Sequence, residues 1–237
     1  MIGKGKSISH GVAALEYDLA KEINGQAVAT EIARHELYGC TGAEMVQEMK
    51  PYHIDFPNVK NNCLRFEVSP SIEESATFTD ADWAELGNDF MQRMGLANHQ
   101  YIIIRHSGTE SKKEQAHLHI LANRVSLSGE LYRDNWIGKK ATEAANAIAK
   151  ERNFVQSQDI GKVNKAEIKE AMDGVLKKMQ GFDFTKFKEE LGKRGFKVRE
   201  ARASTGKLNG YYVTARSGTE YKASEIGKGY TPVSYTH

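Results

Sequence analysis

Two apolar, β-branched runs separated by a polar stretch constrain this chain most. Residues 100–105, QYIIIR, and 117–125, HLHILANRV, read as strands. The eleven residues between them, HSGTESKKEQA, are polar and read as a loop. Strands joined this way pair as an antiparallel hairpin around 107–116. A third run, 63–68 (CLRFEV), alternates until Pro70 ends it. Leu64, Phe66 and Val68 face one way, and Arg65, Glu67 and Ser69 the other, as in a half-buried strand. Thr79 and Asp82 open a helix whose Trp83, Leu86, Phe90 and Met94 form an apolar stripe stopped by Gly95. A further helix is expected at 139–151, KKATEAANAIAKE. Together these predict an α+β fold, a two-layer antiparallel sheet flanked by α-helices on one face.

Around this centre, a first helix is expected from Ser9, as N-cap, to about Glu22, with Ala13, Tyr17 and Ala20 on one face. A second starts at Thr41, where Glu44 three residues on completes capping-box spacing, and stops before Pro51. Later, a helix from Asn164 to about Met179 and a second, FTKFKEELGKRG, ended by Gly195, precede two strands, FKVRE and NGYYVTAR, around Ser204-Thr205-Gly206. The organisation expected is a core over 1–160 and a basic helix-and-strand extension over 161–237, packed on or near it. The turn-rich last stretch has no stopping signal, so the chain is expected to be part of a longer protein.

Composition bears on partners. Of the 237 residues, 40% are hydrophobic and 27% charged, which excludes a disordered or collagen-like chain. Cys40 and Cys63 are too few for a disulfide framework or a cysteine zinc site and suit a cytoplasmic location. No apolar run approaches the roughly 18 residues of a membrane span, and MIGKGKSISHG has no apolar core of a signal peptide. Residues 1–150 carry 16 Lys+Arg against 20 Asp+Glu, while 151–237 carry 17 against 11. The basic third suits a polyanion. Lys193, Arg194, Lys197, Arg199, Arg202 and Lys207 are candidate phosphate contacts, and Tyr211 and Tyr212 are candidates to stack on single-stranded bases.

The sharpest chemistry is three histidines. In a strand, residues i and i+2 share a face, so His117-Leu118-His119 sets two imidazoles side by side, with Cα atoms about 6.5–7 Å apart. Both rings then reach one ion at about 2.1 Å. His106 sits just past the end of the preceding strand, and hairpin pairing returns it beside them. Three imidazoles with open positions suit a catalytic metal site, and by ligand preference zinc, manganese, cobalt or nickel over calcium. Phosphodiester chemistry is one use of such a site, and it requires an attacking group, for which the tyrosines are candidates.

Tyr17 on the first helix, CLRFEVSP, FTDADWAELGNDFMQRMG and YIIIRH…HLHILANRV together resemble the relaxase, or mobilisation nuclease, domain of the histidine–hydrophobic–histidine endonucleases. The set is especially similar to relaxases of mobilisable elements from gut Bacteroidales. The resemblance implies an antiparallel sheet flanked by helices and an enzyme that nicks one DNA strand at an origin of transfer. It implies a tyrosine nucleophile that becomes a 5′-phosphotyrosine and releases a 3′-hydroxyl. Tyr17 matches that position, and His106, His117 and His119 match the ligands of a divalent metal, magnesium or manganese in use. Asn123 matches a polar residue after the second strand. Glu67 matches an acidic position that orients a histidine or helps deprotonate the tyrosine. The partner implied is single-stranded origin DNA with a hairpin, together with accessory mobilisation and coupling proteins.

The chain departs from this pattern where many relatives carry an Asp, two residues after the first histidine; here the residue is Gly108. An acidic supporting role then falls to Glu67, Glu110 or Glu114, or is absent. Some relatives attack with a histidine near the N-terminus, and His10 is the alternative nucleophile. Two other readings compete: a metal-dependent phosphodiesterase that cleaves with water, and an origin-binding module without activity.

Overall fold

The structure is a computed structural model that describes residues 1–108, 115–204, 206 and 208–230. The chain divides into two units, Met1–Ser157 and Gln158–His237.

Unit 1 runs β1 (Ile2–Ile8), α1 (Gly11–Leu19), β2 (Glu22–Ile23), β3 (Gln26–Ala27), β4 (Ala29–His35), α2 (Gly42–Met49), β5 (Cys63–Ser69), α3 (Ile72–Ser75), α4 (Asp80–Arg93), β6 (His99–His106), β7 (His117–Ser126) and α5 (Ile137–Glu151). Among the described residues five strands form an antiparallel sheet in the order β1-β5-β7-β6-β4. The hairpin expected from the sequence is β6–β7, in register with His106 opposite His117 and Ile104 opposite His119.

Strand alternation gives the sheet two different faces. Leu64, Phe66, Val68, Ile103, Leu118 and Ile120 pack on Trp83, Leu86 and Phe90 of α4 and on Ala141, Ala145 and Ile148 of α5. On the opposite face Cys63, Ile102, Ile104 and Leu121 pack on Ala14 and Leu15 of α1 and on Met45, Val46 and Met49 of α2. The expected antiparallel α+β fold is therefore present, but helices cover both faces rather than one. The reason lies in the central strands: β6 and β7 are apolar on both sides, with Ile102, Ile104 and Leu121 opposite Ile103, Leu118 and Ile120, so both faces of the sheet need a cover.

Several boundaries differ from the sequence reading. Helix α1 starts after His10, not Ser9, because residues 2–8 belong to β1, and it ends at Leu19 before the short β2 strand. At α2 the Thr41–Glu44 capping box forms with both bonds in place. Asn123 lies inside β7 rather than after it.

Unit 2 comprises α6 (Ser157–Leu176), α7 (Phe184–Lys193), β8 (Lys197–Arg202), β9 (Leu208–Thr214), β10 (Glu220–Lys222) and α8 (Ala223–Ile226). The three strands form a second antiparallel sheet over a core of its own that includes Ile168, Met172, Phe187, Leu191, Phe196, Tyr211 and Val213. Helix α6 begins seven residues before the expected start. Asn164 is buried within it, its amide donating to the Tyr221 hydroxyl at 3.0 Å, so it is a packed side chain and not a cap.

Candidate active site

The histidine face of the sheet follows from register. Arg65 and Glu67 on β5, His117 and His119 on β7 and His106 on β6 all point to the side covered by α1, and Glu67 lies directly opposite His119. One ring nitrogen from each of His106, His117 and His119 lies within 4.8 Å of the others, and this is the cluster of possible metal-binding side chains among the described residues. Nε2 of His117 and Nε2 of His119 are 3.1 Å apart. Two nitrogens at that separation can each sit about 2.1 Å from a single ion.

The surroundings set the rings up as ligands. Nε2 of His106 faces the carbonyl oxygen of Asp18 at 2.7 Å, and Nδ1 of His117 faces that of Gln115 at 3.1 Å. A carbonyl only accepts, so each of these nitrogens carries the proton and the other nitrogen of the ring keeps its lone pair. Burial lowers the pKa of His106. It pushes that of His119 down to about 2, with His106, His117, Arg65 and Lys4 adding positive charge against protonation. Rings kept neutral in this way are the form that a metal requires. The donor set and the spacing of the ring nitrogens fit a divalent cation.

Helix α1 brings the remaining groups. Gly11, Ala14, Leu15 and Asp18 form its buried stripe. Asp18 is almost fully enclosed, and its carboxylate receives two bonds from the Arg65 guanidinium, one of 3.0 Å from Nε to Oδ2 and one from Nη2 to Oδ1. The same carboxylate lies 3.9 Å from Nδ1 of His119, and Arg65 Nη2 lies 3.4 Å from that nitrogen. Asp18 is the functional candidate that the sequence reading missed. Its signal was its place in the apolar stripe of α1, which a charged residue occupies only when paired.

Tyr17 precedes Asp18 and points outward, 57% exposed, with Lys21 donating to its hydroxyl at 2.8 Å. Ala13 and Ala20, expected on its face, are exposed with it. His10 occupies the N-cap position at the other end of α1, without a side-chain capping bond, eight residues and about 12 Å along the helix from Asp18. Glu67 accepts from Lys4 at 2.9 Å. Asn123 is fully buried four residues along β7 from His119, about 13 Å away. It joins the Met49 carbonyl, Gln100, His53 and the Val125 amide, and so ties β7 to the turn after α2.

The profile of the family "Relaxase: MobA/VirD2-like, nuclease domain" matches residues 17–154, from Tyr17 to just past α5. The chain belongs to this relaxase family. The match contains the three histidines, Asp18, Arg65 and Glu67 and leaves out β1. Solved structures similar to this relaxase include a conjugative relaxase TrwC in complex with OriT DNA, metal-free, at 10% identity over 87% of this chain and 74% of that chain, with a TM-score of 0.39. The metal-bound structure of the same complex is 11% identical over the same shares, with a TM-score of 0.36. No curated protein matches.

The basic residues of unit 2 are mostly engaged within it. Lys193 pairs with Glu190, Arg199 with Glu220 and Arg202 with Glu200, while Arg194 donates to the carbonyls of Ala171 and Gly174. Lys197 is exposed. Tyr211 is a core residue packed on Phe184 and Phe187 and presents no stacking face, whereas Tyr212 is partly exposed with the Arg199 guanidinium over one face of its ring. Lys207, Glu110, Glu114 and Thr205 lie outside the described residues. No helix among the described residues is long and apolar enough to cross a membrane.

Proposed function

We propose that this relaxase nicks one strand of DNA at an origin of transfer, with Tyr17 as the attacking residue and His106, His117 and His119 as the ligands of one divalent cation. The observation that carries the reading is the meeting of the histidine cluster with the last turn of α1, where the Asp18 carbonyl rests on His106 and Tyr17 is the adjacent residue.

When bound there, a divalent cation supplies polarisation of a phosphoryl oxygen. Magnesium or manganese is proposed in use, with zinc, cobalt or nickel compatible with the donors. Tyr17 Oη forms a bond to phosphorus as the bond from phosphorus to the 3′ oxygen breaks. The electron pair goes to that oxygen, which takes up a proton, and the phenol proton leaves to solvent. The products are a 5′-phosphotyrosyl linkage and a 3′-hydroxyl, and no nucleotide cofactor is needed to reverse the step. Lys21 sets positive charge against the attacking oxygen. Asp18 fixes Arg65 and faces His119, so we assign it the orienting role, with Glu67 supplying negative charge one register pair away.

The substrate is single-stranded origin DNA. Unit 2 is proposed as a phosphate contact through Lys193, Arg194, Lys197, Arg199, Arg202 and Lys207. Exposed pairs such as Lys193–Glu190 contribute little and exchange readily for a phosphate. Incubation of origin oligonucleotide with protein and manganese should give a nick and a covalent adduct resistant to denaturant. Tyr17→Phe should bind DNA and form neither. A nick without an adduct would favour hydrolysis by water, and a normal adduct in the Tyr17→Phe variant would move the nucleophile elsewhere, His10 first.

A further inference from the structure

Strand β1 lies outside the segment matched by the family profile, yet it forms the edge of the sheet beside β5. Its sequence, IGKGKSI, alternates glycine and lysine. Towards α5, a Cβ on Gly3 would come within 2.4 Å of the Ala141 carbonyl oxygen, and one on Gly5 within 2.8 Å of the Phe66 ring. Glycine at both positions lets α5 seat directly on the strand. The same alternation sends Lys4 and Lys6 to the histidine face.

Register then fixes their neighbours. Lys4 lies opposite Glu67, Lys6 opposite Arg65, and Glu67 opposite His119 on the next strand. Lys4, Lys6, Arg65, Glu67 and His119 line one open cavity of about 210 Å³. Of the three cations there, Lys4 faces Glu67 and Arg65 is held from behind by Asp18, which leaves Lys6 as the added positive charge. The Lys4–Glu67 pair is surface-exposed, with the lysine side chain 64% accessible, and such a pair holds its partners weakly. Lys6 is exposed and has no ion pair among the described residues.

We propose that Lys4 and Lys6, with Arg65 beside them, bind backbone phosphates of the single-stranded DNA next to the scissile phosphate. The inference rests on the relaxase reading above and adds to it a binding element on β1. The two lysines are positioning residues: they hold the strand against the histidines and touch no reacting atom.

The test is the double variant Lys4→Gln/Lys6→Gln, compared with wild type and with Lys4→Arg/Lys6→Arg. Each is titrated into a fluorescent single-stranded oligonucleotide spanning the origin, from 0.05 to 0.5 M salt. Loss of two phosphate contacts should reduce the slope of log affinity against log salt by about 1.4 and weaken binding about ten-fold at 0.15 M salt. KM for nicking should rise while kcat holds, and the arginine variant should behave as wild type. A methylphosphonate next to the scissile position should weaken the wild type but not the glutamine variant. An unchanged slope and affinity would overturn the proposal. So would a lower urea midpoint with an unchanged slope, which would make the lysines structural. If the wild type does not nick but the slope still falls in the variant, the phosphate contact stands and the nicking reading fails.

Discussion

Replacing Asp18 by Asn keeps the shape of the side chain and removes its charge. In the folded protein the Arg65 guanidinium then loses a two-pronged partner beside three histidines. Removing one member of a fully buried ion pair costs about 3–5 kcal/mol, whereas a surface pair is worth less than about 1 kcal/mol. Here the Asp18 side chain is 2% exposed and that of Arg65 21%, so the guanidinium retains some contact with water. We expect a loss of about 2–3 kcal/mol, a large share of the roughly 5–15 kcal/mol that holds a domain folded. Both tryptophans, Trp83 and Trp136, lie in unit 1, and Trp83 is buried, so tryptophan fluorescence in urea reads this unit alone. With a urea slope of about 2 kcal/mol per molar, the midpoint should fall by about 1–1.5 M. Arg65→Met should fall similarly. The double variant leaves no lone charge and should recover about 2 kcal/mol relative to the sum of the single losses. Additivity within about 0.5 kcal/mol would refute the idea that these two residues act as one unit.

Two further outcomes follow from the same geometry. Gly3→Ala should destabilise unit 1 by about 1–3 kcal/mol, read as a lower urea midpoint, because the added methyl would press on the Ala141 carbonyl; an unchanged midpoint would mean that α5 is not held as described. Acid should weaken unit 1 through His119, whose folded pKa of about 2 lies below the ordinary 6.5. The unfolded chain binds a proton that the folded one refuses, so this stability is complete above about pH 6.5 and is lost as the pH falls below it, at about 1 kcal/mol per pH unit. In chelator, the urea midpoint should drop between pH 7 and 5.5, and less so in His119→Gln; equal slopes in the two proteins would contradict this.

What could be read from the sequence follows strand position. The three central strands, β5, β7 and β6, were legible because burial on the sheet faces leaves alternation or continuous apolar runs. Strands β1 and β4 went unread, and both are edges. In β1 the inward positions are glycines fitted to α5, which carry no hydrophobic signal, and in β4 the residues are half-exposed and the pairing is broken by a bulge between Glu31 and Ala33. The histidine cluster was visible because two ligand candidates sit at strand spacing and the third at the end of the paired strand. Asp18 was marked only by its place in the apolar stripe of α1, and its partner Arg65 lies 47 residues away, where no local pattern names it. The basic run in unit 2 was visible as composition, but its internal pairing with Glu190, Glu200 and Glu220 was not.

In the mechanism proposed here, Tyr17 attacks DNA beside a metal held by His106, His117 and His119. Its most direct measurement is mass spectrometry of the covalent adduct formed on an origin oligonucleotide with manganese, after digestion of both protein and DNA. A residual nucleotide is expected on the peptide containing Tyr17, attached through its oxygen, and no adduct when His119 is replaced by Ala. A nucleotide mapped to any other residue, or an adduct that forms equally well without His119, would contradict it.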